Sequence, residues 1–183
     1  MAFDALVKAG VPGVAGVWAH ESGGGRLLLV VSIRQAYCGH SRQAAYIAAQ
    51  CQATAYMNRY VVVVDDDIDP TNLDDVVWAI CTRSDPGVDI EIMRKTWGSR
   101  ADPLLEDPGR PYNSRAIIDA CWPFERLADF PVVAQSAPDY LRAIRDKWGS
   151  VFSDSRFALP ANAIPATDRG ARSASQATAM TDM

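Results

Sequence analysis

The sequence lacks the features by which membrane proteins, nucleic-acid-binding proteins and structural zinc domains are usually recognised. Its apolar runs, such as Tyr60–Val64, are far shorter than the roughly 20 residues that a membrane-spanning helix needs. The net charge is −4 and lysine and arginine are nowhere clustered, which argues against a nucleic-acid interface. The 4 cysteines lie far apart and there are only 2 histidines, so no zinc site with paired ligands is expected. We expect a protein that binds neither membrane nor nucleic acid.

The start of the chain does not resemble a secretory signal, so we expect a cytoplasmic protein with free thiols. The 183 residues are 49% hydrophobic and 22% charged, which is enough to bury the core of one globular domain. After Asp154 the chain becomes rich in alanine, serine and threonine, and it cannot bury enough surface to offset its loss of conformational entropy. We therefore predict a domain over residues 1–153 and a flexible tail over residues 154–183.

The first part of the chain has patterns typical of an α/β fold. Val14–Ala19 and Leu27–Ile33 resemble two strands joined by a glycine-rich turn, which predicts a β-hairpin. The alanine-rich segment Ser41–Arg59 predicts a helix, and the apolar run after it predicts a strand covered on both faces. A second helix is expected to start after Thr71 or Asn72, which can serve as its N-cap. Alternating strands and helices imply a right-handed crossover.

The second part of the chain has weaker patterns. Asp89–Met93 and Ala116–Ala120 are predicted to be strands, and the proline-rich stretch Asp102–Asn113 between them a loop. Pro138–Val151 has apolar residues at helical spacing and predicts an amphipathic helix. The predicted fold class is therefore α/β, with a mixed sheet in which a β-hairpin is followed by β-α-β-α units, and with a C-terminal helix and the flexible tail.

The most conspicuous polar feature is the run of aspartates between Val64 and Pro70, at the end of the apolar strand. Carboxylates at the C-terminal end of a buried strand are typical of metal and nucleotide sites, so Asp65, Asp67 and Asp69 are candidates for a metal-dependent phosphotransferase. Their spacing does not fit a calcium loop. The alternative is a structural turn whose carboxylates cap the next helix and lie at the positive end of its dipole.

Two further features have a structural and a functional interpretation. Cys38 and His40 flank a glycine and could form a thiolate–imidazole pair, but neighbours at this spacing seldom face each other. We expect Cys38 to be packed and His40 to lie at the start of a helix. Trp97 is expected in a loop, where a large aromatic side chain either closes a core or lines a pocket.

Three stretches of the sequence resemble the UbiD family of decarboxylases. Ser32–Arg42 is similar to the family's strand followed by basic-Gln-x-Tyr-x-Gly-His-x-basic and a helix. Val61–Arg83, which precedes Ser-Asp-Pro, is similar to its more specific pattern of a strand, Asp-Asp-Asp-Ile-Asp, a turn and a Trp-Ala helix. Ile117–Ala120 is a weaker third match. The resemblance extends over roughly Val11–Val151 and covers only the family's C-terminal α/β domain.

Complete members of this family have a split β-barrel that binds prenylated FMN with a divalent metal, manganese or magnesium. The resemblance implies that the catalytic glutamate–arginine–glutamate set and the divalent-metal ligands lie outside this stretch. No residue here is therefore assigned a catalytic role, and the chain alone is expected to be inactive. The resemblance implies a monovalent cation, potassium or sodium, held by Arg83 through its carbonyl oxygen and by Asp119, and a substrate pocket faced by Trp97. Some members have a lysine near the flavin phosphate, but Gln52–Ala55 stands there in this sequence.

Three classes of function stay open at this point. The first is the C-terminal part or subunit of a prenylated-FMN-dependent (de)carboxylase of aromatic or α,β-unsaturated acids, which contributes to assembly and one wall of the active site. The second is a non-catalytic assembly domain or degenerate remnant, and the third is the phosphotransferase. We expect self-association or binding to a larger chain with the N-terminal half, through the faces of Trp18, Trp97 and Trp148 and the helix Pro138–Val151. By the resemblance, the aspartate run is a structural turn.

Overall fold

The computed structural model describes residues 1–56, 58–100, 102, 104–105, 109, 112–131, 133–134 and 136–152. Its centre is a five-stranded sheet in the order β1-β2-β3-β5-β4. Strands β2, β3 and β5 are parallel, whereas β1 pairs antiparallel with β2, and β4 antiparallel with β5. The strands are β1 (Val14–Ala19), β2 (Leu28–Ile33), β3 (Tyr60–Asp65), β4 (Ile90–Trp97) and β5 (Tyr112–Ala120). The predicted mixed α/β sheet with its hairpin is confirmed, and the predicted tail lies outside the described residues.

Helices lie on both faces of this sheet. The first two, α1 and α2, pack on one face, and α4 packs on the other. The described helices are α1 (Ala2–Lys8), α2 (His40–Gln50), α3 (Gln52–Ala55), α4 (Leu73–Arg83), α5 (Pro86–Asp89) and α6 (Pro138–Phe152), with 3₁₀ turns at Glu21–Gly23 and Phe124–Arg126. The predicted C-terminal helix is therefore confirmed as α6. Within the described ranges, no helix has the length and apolar character that crossing a membrane requires.

Strand β3 shows why the sequence has an unbroken apolar run. Val61 and Val63 belong to the core shared with α1 and α2, whereas Val62 and Val64 belong to the core shared with α4. Successive side chains of a strand point to opposite faces, and here both faces are covered, so every position must be apolar. The strand pairs in parallel with β2 and with β5.

The helix predicted over Ser41–Arg59 is broken at Cys51, and this part of the prediction is wrong. Cys51 has extended backbone angles, φ −67° and ψ 146°, between α2 and α3. The hydroxyl of Thr54 donates to the carbonyl oxygen of Ala48, and the Arg115 guanidinium donates to that of Ala49. These contacts satisfy carbonyls that would otherwise be left unpaired at the end of α2.

Two other boundaries differ from the predictions. The segment after α4 forms the short helix α5, because the Asp85 carboxylate accepts a hydrogen bond from the amide N of Gly87 at 2.9 Å and caps the helix. Trp97, expected in a loop, is the last residue of β4. Strand β5 starts at Tyr112, inside the expected loop. In both strands, pairing between β4 and β5 extends the structure beyond what local sequence indicated.

Candidate functional site

The C-terminal ends of the three parallel strands hold a buried polar cluster. Asp65, the last residue of β3, is fully buried. Its Oδ1 accepts a hydrogen bond from Nε2 of Gln35 at 2.8 Å, and its Oδ2 accepts one from the amide N of Trp122 at 2.7 Å. Gln35 follows β2 and Trp122 follows β5. Because parallel strands end at one edge of the sheet, a single carboxylate joins three chain segments.

Arg83, the last residue of α4, brings a positive charge to this cluster. Its guanidinium forms two hydrogen bonds with the Asp67 carboxylate, at 2.9 and 2.6 Å, and Nη1 lies 3.4 Å from Oδ2 of Asp65. Its Cζ lies 4.2 Å from the ring centre of Trp122 and 5.2 Å from that of Trp78, so two aromatic faces cover the cation. The cluster thus combines two buried carboxylates with one guanidinium.

The pKa of Asp65 is set by burial, by its hydrogen bonds and by the two neighbouring charges. Burial raises the pKa of Asp65 to about 7, although the hydrogen bonds from Trp122 and Gln35 and the charge of Arg83 act in the opposite direction. The neighbouring carboxylate of Asp67 raises the pKa further. Arg83 pairs most closely with Asp67, so its charge offsets only part of the effect of burial on Asp65. Asp65 therefore changes its charge near neutral pH.

The aspartates do not cap α4 as the sequence predicted. The N-cap of α4 is Asn72, whose side-chain oxygen accepts from the amide N of Asp74 at 3.1 Å, so the alternative with Asn72 as cap is confirmed. Asp69 accepts from the amide N of Thr71 at 2.9 Å in a turn before the helix. Asp66 pairs with Arg34 at 2.9 Å. Asp65, Asp66 and Asp67 therefore bind arginines that the tertiary structure brings close, and Asp69 binds within its own turn.

The phosphotransferase alternative would need the aspartates to converge on a metal. Asp65 and Asp67 instead turn toward Arg83, and Asp69 turns toward Thr71. Nowhere in the described part of the chain do three or more His, Cys, Asp or Glu side chains gather in a way that could hold a metal ion.

Asp119, near the end of β5, lies in a second polar group at the same end of the sheet. Its Oδ2 accepts from the Ser41 hydroxyl at 2.5 Å and lies 3.5 Å from Nε of Arg42, while Oδ1 accepts from the amide N of Cys121 at 3.2 Å. The pKa of the Cys121 thiol is raised well above its usual range by burial, then by the charges of Asp65 and Asp119, with Arg83 acting against them. The side chains of Arg83 and Asp119, the two predicted cation ligands, therefore both contact residues at the C-terminal end of the parallel strands, Asp65 for Arg83 and Cys121 for Asp119.

An unpaired oxygen next to Arg83 bears on the predicted cation. The hydroxyl Oγ of Ser84 is buried and has no hydrogen-bond partner among the described residues. It directly follows the C-terminal residue of α4, where free carbonyl oxygens carry the negative end of the helix dipole. Oxygen donors of this kind suit a hard cation, so these residues fit a monovalent ion in this respect.

Trp97 and Tyr56 form an exposed aromatic pair at the opposite end of β5. Trp97 is 50% exposed and pairs with Tyr112 across the sheet. The ring of Tyr56, which is 48% exposed and follows α3, lies 5.8 Å from that of Trp97 at an angle of 59°. The sequence indicated Trp97 but not Tyr56, because only the fold brings the end of α3 to the end of β4.

Sequence reasoning also missed Arg115, Gln35 and Trp122. Arg115 is 1% exposed, and its guanidinium donates to the carbonyl oxygens of Ala49, Ala55 and Trp97. In the sequence it is a polar residue in a strand of ordinary pattern, so nothing marks it as buried. Gln35 lies in the first stretch of the family resemblance, which is the one signal that could have identified it.

Cys38 and His40 do not form a reactive pair. Cys38 is exposed, contrary to the prediction that it is packed, and its Sγ lies 2.6 Å from the Glu125 carboxylate, whose hydrogen bond raises the pKa of the thiol. A raised pKa disfavours the thiolate that a nucleophile requires. His40 is the first residue of α2, as predicted, and burial lowers the pKa of its imidazole. Gly39, at φ +80°, turns the chain so that the thiol faces solvent while the imidazole enters the core.

Comparisons with known proteins agree with the family resemblance. Residues 2–120 match the family model described as the 3-octaprenyl-4-hydroxybenzoate carboxy-lyase C-terminal domain, UbiD_C. The phenolic acid decarboxylase of Sedimentibacter hydroxybenzoicus is 33% identical over 95 residues, which cover 52% of this chain and 19% of the relative.

Solved structures give the same match. The UbiD-class enzyme HmfF from Pelotomaculum thermopropionicum, in complex with FMN, has a TM-score of 0.65 and 26% identity, over 76% of this chain and 30% of that chain. The vanillic acid decarboxylase ShVdcCD of Sedimentibacter hydroxybenzoicus, in its closed form, has a TM-score of 0.63 and 25% identity, over 84% of this chain and 31% of that chain. The chain therefore spans less than a third of these relatives.

Proposed function

Because the chain belongs to the UbiD family of carboxy-lyases, through its C-terminal domain, we propose that it is the C-terminal part of a prenylated-FMN-dependent (de)carboxylase. The proposed substrates are aromatic or α,β-unsaturated acids. The observation that carries the proposal is the family match over residues 2–120, which includes the whole sheet and the Asp65–Arg83 cluster. Relatives whose names specify phenolic and vanillic acids support an aromatic substrate.

In this proposal the chain supplies one wall of the active site through Trp97. Trp97 is half exposed and is the last residue of β4, so the sheet fixes its backbone position. Its large flat face suits contact with an aromatic ring. The catalytic acid, base and arginine are assigned to the N-terminal half of the complete enzyme. The isolated chain is accordingly expected to be inactive.

Prenylated FMN, when bound, would supply the electron sink for the departing carboxylate, and a manganese or magnesium ion would accompany it. The solved relatives in complex with FMN and with prenylated FMN support this cofactor class. The described residues offer no cluster of ligands for the divalent ion, so its ligands are assigned to the N-terminal half as well. No residue of this chain is assigned to the flavin.

A monovalent cation, potassium or sodium, is proposed between the Arg83 carbonyl and Asp119. The unpaired buried oxygen of Ser84 supports this position. The test is thermal unfolding in potassium chloride and in choline chloride at equal ionic strength. We expect a higher midpoint in potassium that is lost in Asp119→Asn but kept in Asp89→Asn, a control that also removes a partner of Arg42. A potassium effect that survives Asp119→Asn would contradict the assignment.

The chain is also proposed to assemble, with copies of itself or with a larger chain that carries the N-terminal half, through α6. Tyr140, Trp148 and Val151 lie at helical spacing on α6 and stay exposed in the described chain. A stripe of this kind is typical of a helix that binds a partner. In light scattering across a concentration series, Trp148→Glu should shift the mass toward the monomer, whereas the control Arg142→Glu should not. A strict monomer at all concentrations would exclude self-association.

The experiment that tests the function is complementation. The chain is mixed with the N-terminal half of the Sedimentibacter phenolic acid decarboxylase and prenylated FMN, and release of CO2 from 4-hydroxybenzoate is measured. We expect turnover by the mixture and none by either part alone. Trp97→Ala should raise KM about tenfold, whereas Trp18→Ala, another exposed tryptophan, should leave KM unchanged. A stable but inactive complex would favour the non-catalytic assembly domain.

A further inference from the structure

Arg115 lies in an environment that is unusual for an arginine. It is almost completely buried in β5, yet no carboxylate among the described residues pairs with it. Burial lowers the pKa of its guanidinium, although arginine stays charged in proteins. Removing such a charge from water is costly unless other groups compensate it. The compensating groups here are backbone carbonyl oxygens.

Those carbonyls come from three separate segments of the chain. Nη1 donates to Ala49 near the end of α2, and Nη2 donates to both Ala55, the last residue of α3, and Trp97, the last residue of β4. Helix C-termini carry partial negative charge, which suits a cation. The rigid fork of a guanidinium can address several acceptors at fixed directions, which the single ammonium of lysine cannot do.

The positions of these carbonyls matter because two of them adjoin the exposed aromatic pair. Ala55 directly precedes Tyr56, and the third carbonyl belongs to Trp97 itself. Nη2 of Arg115 therefore donates to two carbonyl oxygens, one in the residue before Tyr56 and one in Trp97 itself. The rings lie 5.8 Å apart and are tilted, an arrangement that aromatic pairs favour, while each keeps about half of its surface in solvent.

Two cationic residues, Arg94 and Lys95, belong to the same strand as Trp97. A cavity of about 720 Å³ is lined by Arg115 and also by Arg94, Lys95 and Tyr112, the last of which pairs with Trp97 across the sheet. Lys95 has φ +57° at the irregularity between Met93 and Thr96, a conformation that non-glycine residues rarely adopt outside functional or turn positions. An aromatic ligand that contacts Trp97 would therefore lie on a strand that also carries the cations Arg94 and Lys95.

We infer that Arg115 is a positioning residue for a two-ring platform, Tyr56 and Trp97, which binds the flat ring of an aromatic carboxylate. This inference rests on the proposed function, because it extends the wall assigned to Trp97. It adds Tyr56 as a second ring that contacts the ligand and Arg115 as the group that sets the distance between the two rings. Neither residue is expected to take part in bond breaking.

The test uses the full chain, with 4-hydroxybenzoate as the probe and NMR of the 5 tryptophan indole N–H groups as the readout. The Trp97 signal is identified from its absence in Trp97→Phe. We expect 4-hydroxybenzoate to shift this signal, with an apparent Kd about tenfold weaker in Arg115→Lys and in Tyr56→Leu. The matched control is Arg34→Lys, which weakens the exposed ion pair with Asp66 at the other end of the sheet and should change the Kd less than twofold.

A second readout needs no ligand. In the wild-type chain, a nuclear Overhauser effect should be observed between the Tyr56 and Trp97 rings, and it should be lost in Arg115→Lys but kept in Arg34→Lys. Retention of this effect in Arg115→Lys, or an unchanged Kd in that variant, overturns the positioning role and leaves the proposed function intact. If the wild-type Trp97 signal does not respond to 4-hydroxybenzoate, the proposal that Trp97 contacts the substrate is wrong. Circular dichroism verifies that each variant is folded.

Discussion

The protein buries two arginines, Arg83 and Arg115, in two different ways. Arg83 lies at the C-terminal edge of the parallel strands, bound to the carboxylates of Asp65 and Asp67 and covered by tryptophan rings. Arg115 lies toward the other end of β5 and binds backbone carbonyls alone among the described residues. The first cation is matched by charges and the second by dipoles, so the same side chain stabilises the fold through different partners.

Because the two arginines have different partners, their removal should leave different unpaired groups in the protein interior. Loss of Arg83 removes the guanidinium that pairs with two buried carboxylates, and breaking a buried ion pair is among the costliest changes in a protein interior. Loss of Arg115 leaves unpaired carbonyl oxygens, each of which costs less than a charge. The comparison can therefore be tested by substitution.

The largest effect is expected for Arg83→Met. At pH 8, where Asp65 is ionised, this change should lower the free energy of unfolding by about 3–5 kcal/mol, because it removes one partner of a buried ion pair. Urea unfolding followed by circular dichroism measures it. The control is Arg34→Met, which removes an exposed pair with Asp66 and should cost at most about 1 kcal/mol. Equal losses in the two variants would contradict the buried-charge account.

A smaller effect is expected for Arg115→Met, about 1–3 kcal/mol, because the change strands carbonyl oxygens and no carboxylate. Double variants sharpen the comparison. Asp65→Asn should recover part of the stability lost in Arg83→Met, since it removes one of the stranded charges, and it should recover none in Arg115→Met. The same urea unfolding series measures both, and rescue of Arg115→Met would show that the two sites are coupled.

The pH dependence of stability further distinguishes the Arg83 site, through Asp65, from the Arg115 site. The pKa of Asp65 is raised from 3.8 to about 7, so between these values the folded protein holds a proton that the unfolded chain has released. Stability should therefore fall as pH rises from about 4 to about 7, by at most about 1.4 kcal/mol per pH unit, and then level off. In Asp65→Asn this decline should disappear. A decline that is unchanged in that variant would assign it to another group.

The pKa of Asp102 is shifted in the opposite direction from that of Asp65, so its effect on stability has the opposite dependence on pH. The hydrogen bond from Arg59 lowers the pKa of Asp102 to about 2, so its contribution is present above about 4 and is lost as pH falls toward 2. Asp102→Asn should reduce the loss of stability in acid without changing the slope between pH 4 and 7. Urea unfolding at intervals of half a pH unit separates the two contributions.

The smallest effect concerns the turn between Asp65 and α4. Asn72→Ala removes the N-cap of α4 and should cost about 1 kcal/mol. Asp66→Ala changes a neighbouring carboxylate that does not cap the helix and should stay within about 0.5 kcal/mol of the wild type. If Asp66→Ala proved the costlier change, the carboxylates and not Asn72 would be stabilising the start of this helix.

The sequence alone determined the parts of this protein that depend on local pattern. An unbroken run of valines can only be satisfied in a strand covered on both faces, and β3 is such a strand. Asn72 was recognisable as a cap, and the spacing of apolar residues identified α6. The aspartate motif and the helix after it carried the family resemblance, which the comparisons support.

Only the tertiary structure decided which groups these elements bring together. The aspartates bind arginines instead of the helix end, α2 stops at Cys51 where Thr54 and Arg115 take up its free carbonyls, and Tyr56 meets Trp97. Apart from the local contact of Thr54 with Ala48, these contacts join residues far apart in the chain. Their energies depend on burial and on the partners that the folded chain places nearby. The local sequence pattern gives no information on burial or on distant partners. For this reason the sequence did not identify Arg115 as a buried residue, although it is 1% exposed in the folded chain.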